Sequence, residues 1–463
     1  MFLAIDQGTT STKAGRLGPD GRLIVFGNCT HQQIRLHAGW VEHDPLELLG
    51  NIRALLEQAG KIASVGLANQ GETVVAWDAR SKRPIANAIV WQDVRTEAEI
   101  SALRAQGAEA LTLAQAGLPL DAYFSASKLR WLLDNVPEAA SLRREGRLRL
   151  GTSDAYFIDA LTGEFATDVS TASRTSLMNL KTLQWDDELC ALFGVPMECL
   201  PEIRPTVGSF GVLPNGAVIK ASAVDQQGAL FGHGCKGTGD IKITFGTGGF
   251  ALGLTGNAPV LAGNSGLLPT VAWQIDGHTQ YALDGGILTA GSALEWLRDI
   301  RMIEDFSALD EFGPGSAAEA GLFFIPAQAG LGCPYWDRAA RGGWIGLGTD
   351  TSRAAMVKAV PEGIALRAAQ IVRAFGKSSG IGRVSIDGGL SRSDYFTQFL
   401  SDVLGVELFV AGQAEMTLTG LLRLCGGVVS DADWRVIEPR TTDFTAIQAR
   451  FAEAVERMRG WAP

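Results

Sequence analysis

The chain has 463 residues, 46 % of them apolar and 19 % charged, which is the composition of a folded protein too long for one ordinary hydrophobic core. Its formal net charge of −10 excludes a broad cationic surface for nucleic acid or anionic lipid, so an anionic substrate needs local cations, helix N-termini or backbone amides. The opening apolar run stops at Asp6, and no stretch reaches about 18 uninterrupted apolar residues, so neither a secretory leader nor a membrane span is expected. The six cysteines are scattered with no CxxC pair, which fits small buried side chains better than a disulfide framework or a zinc cage. A cytoplasmic location follows.

The first residues read as a β-meander: an apolar strand Phe2–Asp6, a small-residue turn Gly8–Ser11, a strand Lys13–Leu17, a Gly18–Gly21 turn and a strand Arg22–Gly27. Asp44 then caps a helix that has Pro45 at its first position and Leu48, Ile52 and Leu55 as its buried stripe. A further strand is expected at Ile62–Leu67. Three strands, a helix and a strand is the element order of the ribonuclease-H-like fold, which actin- and hexokinase-type proteins use in duplicate. A second start lies past the middle, where Ile241–Thr244 and Phe250–Leu254 flank the turn Gly246–Gly249, and the strand Val384–Ile386 leads through Asp387-Gly388-Gly389 to a helix from about Ser393 to Leu404. The chain closes on an amphipathic helix with Phe444, Ile447, Phe451 and Val455 on one face. The expected architecture is therefore α/β, with two ribonuclease-H-like domains at 1–223 and 224–463 and a cleft between them.

Asp6-Gln7-Gly8-Thr9-Thr10-Ser11-Thr12-Lys13 is the first segment with chemistry in it. A glycine between two strands lets backbone approach a ligand, and successive amides and hydroxyls can cradle phosphate oxygens. Asp6, at a strand end, suits a hydrated Mg²⁺, which takes one or two carboxylates plus water and phosphate. The segment is not a P-loop, since GxxxxGK[ST] is absent, and the protein-kinase signatures are absent too.

Tyr123-Phe124-Ser125-Ala126-Ser127-Lys128-Leu129-Arg130-Trp131-Leu132-Leu133-Asp134-Asn135 matches the first signature of the FGGY carbohydrate kinases. Around it, Trp40–Pro45, Ala88–Asp93, Asp225–Gln227, Phe245–Gly248, Pro334–Asp337 and Asp387–Gly389 resemble the glycerol-kinase branch of that family in order and spacing. The second signature is less faithful, with Ala355 and Pro361 at positions where a polar and an apolar residue are expected. The resemblance implies an ATP-dependent kinase that phosphorylates a primary hydroxyl of a small polyol or sugar, with ATP and Mg²⁺ in the cleft. It implies that Asp225 is the general base and shares the metal with Asp6. Glu72, Tyr123 and Gln226 would contact the polyol, and Trp91 and Phe250 would wall its carbon backbone. Thr9, Thr10, Ser11 and Lys13 would contact phosphate from the first domain and Thr247 from the second, while Gly291, Glu295, Gly389 and Ser393 would surround the adenosine. The glycines there would leave flat backbone walls for the base. The expected partner is a small polyol or sugar, with no nucleic acid and no membrane, and a homodimer is left open.

Two departures from the glycerol-kinase pattern bear on substrate. Gly71 stands where that branch carries an arginine that contacts the polyol, which predicts a roomier pocket, a less neutralised Glu72 and weaker glycerol binding unless another arginine, such as Arg95, reaches in. The stretch Gly208–Ala223 is short and lacks the arginine-bearing insertion that forms a sugar-bisphosphate inhibitor site in some relatives. A four- to six-carbon polyol or ketose is the alternative substrate, and a non-catalytic ATP-binding regulator of the same fold is the alternative of a different class.

Overall fold

The computed structural model describes residues 1–261, 265–310, 312–430, 433–440 and 443–462. Its first sheet opens with the expected meander, strands Phe2–Gln7, Ser11–Leu17 and Leu23–Thr30 running antiparallel. On the other side of Phe2–Gln7 the strands Ser64–Asn69 and Val218–Val224 add in parallel. Register places Asp6 directly opposite Lys13, so both side chains leave the same face at the end of the sheet that meets the cleft. Helix Pro45–Ala59 covers this sheet and starts as the sequence dictates, with Asp44 accepting a hydrogen bond from the Leu46 amide at 2.9 Å and Leu48, Ile52 and Leu55 buried.

The second sheet repeats the plan. Strand Ile241–Phe245 pairs antiparallel with Gly249–Gly256 and parallel with Val384–Gly388, and further strands extend it on both sides. Helix Asp394–Leu404 follows Val384–Gly388 and is capped by Ser393. A small sheet built from Val74–Asp78, Leu148–Thr152, Glu42–His43 and Ala88–Ile89 enlarges the first lobe, and helix Ser125–Asn135 packs on it. Pro361 lies inside the long helix Arg353–Ser379. The terminal helix Thr445–Met458 buries Phe451 and Val455, with Phe444 just ahead of its first turn.

Two helices join the lobes. Asp225–Gly232 begins where the first sheet's strand Val218–Val224 ends, and Met416–Leu424 crosses it so closely that a Cβ at Gly420 would fall 1.8 Å from the Gly228 carbonyl oxygen. Leu418, Leu421 and Leu422 of the second helix bury against Ala4, Ala68, Ala221 and Ala223 of the first sheet. Residues 416–424 therefore pack on the first lobe although they belong to the chain's second half. Small residues on both surfaces permit this close approach, which fixes Asp225 at the base of the cleft.

Candidate active site

A pocket of about 150 Å³ opens at this junction, and Glu72, Tyr123, Gln226, Trp91, Phe250, Gly71 and Asp225 all line it. Its walls come from both lobes. Trp91 meets Tyr123 edge-to-face at 5.6 Å and Phe250 at 6.3 Å, forming an apolar surface whose polar edge, the Trp91 indole N–H, donates to Thr9 Oγ1 at 3.0 Å. Asp225 is the first residue of its helix, and its Oδ1 accepts from the Gln226 amide at 2.7 Å. Burial, reinforced by Glu72 and Asp284 and opposed by Lys242, pushes the Asp225 carboxyl up to about 6.

Glu72 follows Gly71 with φ at +58°, a left-handed conformation that costs a non-glycine residue energy and persists only where the surroundings enforce it. Two contacts enforce it here. Ser125 Oγ donates to the Glu72 carbonyl at 3.0 Å, and Arg174 Nε donates to Oε1 at 2.7 Å. Arg174 also reaches Asp284 Oδ2 at 3.0 Å, which leaves its Nη1 buried without a hydrogen-bond partner and available to a substrate hydroxyl.

This pairing corrects the expectation drawn from Gly71. Glu72 has a cationic partner after all, and it is Arg174, which Glu72 shares with Asp284. Arg95 does not reach in, because it is locked in ion pairs with Glu42 and Asp93 at 2.7 Å and stacked on Trp40. Nor is the space beside Gly71 empty, since a Cβ there would lie 3.1 Å from Val224 Cγ1.

Arg174 and Asp284 line the pocket, Lys242 and Lys128 hold residues that do, and sequence reasoning missed all four roles. Lys242 is buried, with Nζ on Gln226 Oε1 and on Thr244 Oγ1 at 3.1 Å, so it orients an amide that lines the pocket. Lys128 donates to the carbonyls of Ala122, Tyr123 and Phe124, which fixes the loop that carries Tyr123, and burial lowers its pKa to about 7. A sequence signal existed for Lys242: a lone lysine between Ile241 and Ile243 in a strand otherwise read as buried seldom occurs without a partner.

The turn Gly8–Ser11 lies at the pocket rim, with Thr9 in the wall and Thr10 exposed at the tip. Lys13 is engaged by Glu415 Oε1 at 2.8 Å. Asp6 has an Oδ1 atom buried without a partner, and burial, then the charge of Asp225, push its carboxyl up to about 8. A buried carboxyl with an unsatisfied oxygen, raised further by the charge of a neighbouring carboxylate, suits a divalent cation. Among the described residues no cluster of three or more His, Cys, Asp or Glu side chains could hold a metal by itself.

A cavity of about 600 Å³ in the second lobe brings together Thr247, Gly291, Glu295, Gly389 and Ser393. The reason for glycine differs between its two positions. A Cβ at Gly389 would meet nothing within 4 Å, whereas one at Gly291 would fall 2.5 Å from the Gly246 carbonyl, so Gly291 serves the seating of helix Gly291–Asp299 on the glycine turn. Ser393 is occupied structurally: its Oγ accepts from the Phe396 amide as a helix cap and donates to Asp310 Oδ1 at 2.7 Å. Glu295 pairs with Arg298 on the same helix. Asp310, also in the wall, thus joins the residues expected around a nucleoside.

Two duplicated lobes with a shared cleft, a carboxylate at the hinge and separate polar pockets on either side define a two-lobed phosphotransferase of the actin and hexokinase type. Comparison with known proteins narrows this. Residues 1–232 match the FGGY family of carbohydrate kinases, N-terminal domain, and residues 241–426 match its C-terminal domain. A glycerol kinase of Symbiobacterium thermophilum is 41 % identical, the alignment covering 99 % of this chain and 98 % of that protein. Among solved structures, Plasmodium falciparum glycerol kinase with ADP superposes with a TM-score of 0.90 at 32 % identity, over 99 % of this chain and 98 % of the other. A ligand-bound xylulose kinase from Lactobacillus acidophilus shares the fold with a TM-score of 0.87 at 23 % identity, over 99 % and 98 % of the two chains. The chain belongs to the FGGY family of carbohydrate kinases, and its activity is the ATP-dependent phosphorylation of a small polyol or sugar. No helix among the described residues is long and apolar enough to cross a membrane.

Proposed function

We propose that this kinase, acting in the cytoplasm, phosphorylates a primary hydroxyl of a short glycerol-like polyol, with Asp225 as the base. The observation that carries the reading is the opening of Asp225 into one 150 Å³ pocket with Glu72, Tyr123, Gln226 and Arg174. Glu72 accepts from substrate hydroxyls, the free Arg174 N–H donates to one, and Trp91 and Phe250 flank the carbons. A primary hydroxyl placed at Asp225 gives up its proton to that carboxylate as its oxygen bonds to the γ-phosphorus. The bond from that phosphorus to the β–γ bridging oxygen breaks, and ADP leaves.

A carboxyl with a pKa near 6 is ionised at neutral pH yet still accepts a proton, which suits this role. The transition state of phosphoryl transfer is loose, so positioning and charge neutralisation contribute more than covalent help. Thr9, Thr10, Ser11 and Thr247 would hold the phosphates, Asp6 and Asp225 the Mg²⁺, and Gly389 with Asp310 and Ser393 the nucleoside. Mg²⁺ would supply charge neutralisation across the β- and γ-phosphates. The test is ADP release by the pure protein with Mg-ATP, with and without glycerol and longer polyols. Polyol-dependent release is expected, and release that no polyol or sugar stimulates would refute the reading.

A further inference from the structure

The polyol pocket continues into a second cavity. About 240 Å³ of space shares the walls Trp91, Tyr123, Phe250 and Asp284 with it. Leu288 and Leu331 make this cavity apolar on one side, and Asp121 and Arg338 add polar groups. Those two residues come from different lobes and form an ion pair, Arg338 Nη2 to Asp121 Oδ1 at 2.8 Å. The same Asp121 oxygen accepts the Tyr123 backbone N–H at 2.8 Å, so one carboxylate ties the polyol-facing tyrosine to the opposite lobe. Arg338 keeps about half of its side chain exposed, and the bond to Asp121 is its one ion pair among the described residues. Trp336 in the same wall is held at φ +47°, with its indole N–H on the Gly266 carbonyl at 2.6 Å, a second strained residue fixed by its surroundings.

We propose that this cavity is a distal substrate subsite, which takes the carbons beyond the third of a four- to six-carbon polyol or ketose and binds their hydroxyls through Arg338 and Asp121. The proposal rests on the reading of the first pocket as the polyol site. An apolar wall with a few convergent polar groups is how small-molecule sites hold a hydroxylated carbon chain. The charges favour a neutral chain over a sugar acid, because Asp121 and Asp284 outnumber Arg338 in the lining. Guanidinium offers five N–H donors, so Arg338 can keep Asp121 and still donate to a distal hydroxyl. The extra room for a longer substrate thus lies at the mouth between the lobes, while beside Gly71 Val224 occupies the space.

The experiment compares kcat/KM for glycerol, erythritol, xylitol, ribitol, ribulose and xylulose in the wild type, Arg338→Ala and Ala329→Phe. Ala329 is an exposed wall residue whose enlargement fills the cavity without entering the core. At least one longer substrate should exceed glycerol by about tenfold or more. Arg338→Ala should lower that substrate's kcat/KM roughly ten- to a hundredfold more than it lowers glycerol's, mainly through KM, the range set by loss of one charge-assisted hydrogen bond. Ala329→Phe should discriminate in the same direction. Glycerol as the best substrate, or variants that reduce all substrates in proportion, would overturn the subsite while leaving the first pocket's assignment standing. No turnover of any substrate would overturn both.

Discussion

Arg174 and Glu72, 102 residues apart in sequence, meet at 2.7 Å in the wall of the pocket that holds Asp225, both almost completely buried. A buried pair of this kind survives only with good geometry, and the guanidinium meets the requirement by bonding Glu72 and Asp284 at once. Arg174→Lys keeps the charge and loses the fork. It should raise the polyol KM roughly ten- to a hundredfold and leave the ATP KM within about twofold. Steady-state kinetics with each substrate varied in turn checks this, and equal effects on both KM values would contradict it.

Gly71→Arg tests how that arrangement excludes a second arginine. The new Cβ would press on Val224, itself only 4 % exposed, so the single variant should lose about 1–3 kcal/mol of stability by overpacking. Combining it with Val224→Ala should recover much of that loss in a denaturant melt. Equal stability of the single variant and the wild type would show that Val224 yields without strain.

The pH dependence follows from two raised carboxyls. With Asp225 at about 6, kcat/KM should fall as pH drops through that value, because the base is then protonated. With Asp6 at about 8 in the free protein, Mg²⁺ has to displace a proton at neutral pH, so its apparent affinity should strengthen as pH rises toward 8. The sign for stability is the opposite: the folded state holds a proton on Asp6 that the unfolded chain releases near pH 4, so stability declines as pH rises from there to about 8. Asp6→Asn should therefore melt higher than the wild type at pH 8 to 9 without Mg²⁺. A lower melting temperature would contradict the burial of an unpaired carboxyl.

Much of this fold was legible because its signals are local. Apolar runs broken by glycine turns marked the two meanders, and Asp44-Pro45 marked a helix start that needs only its own first turn. That Gly389 and Thr247 share one cavity was readable for the same reason, since each sits in a turn between strong elements. The arginine partner of Glu72 was not legible. Arg95 and Arg174 look alike in sequence, and only the packing of Trp40 and Trp131 around one, and of Tyr123 and Phe124 near the other, decides which faces the pocket. Gly291 was assigned to the right wall for a different reason from the one the structure gives, because a clash with Gly246 is a property of two segments 45 residues apart.

The short stretch Gly208–Ala223 folds as a hairpin-like return in which the Phe210 N–H donates to the Ile219 carbonyl, the Ile219 N–H donates to the Gly211 carbonyl, and Val212 bridges Val218. Backbone donors used in this pairing are not free to hold two phosphates. A sugar bisphosphate titrated into the assay should leave activity unchanged, and saturable inhibition at physiological concentrations would contradict this.

The central claim is that Asp225 takes the proton of the attacking hydroxyl, and single-turnover phosphoryl transfer by Asp225→Asn tests it most directly. The substitution preserves shape and removes the proton acceptor, so the rate on the best substrate should fall by about 10²–10⁴-fold. Nucleotide affinity, which we assign mainly to the two glycine turns and the 600 Å³ cavity, should stay within about threefold in the same preparation. A variant that binds ATP normally and keeps more than about a tenth of the wild-type rate would remove Asp225 from the role of base.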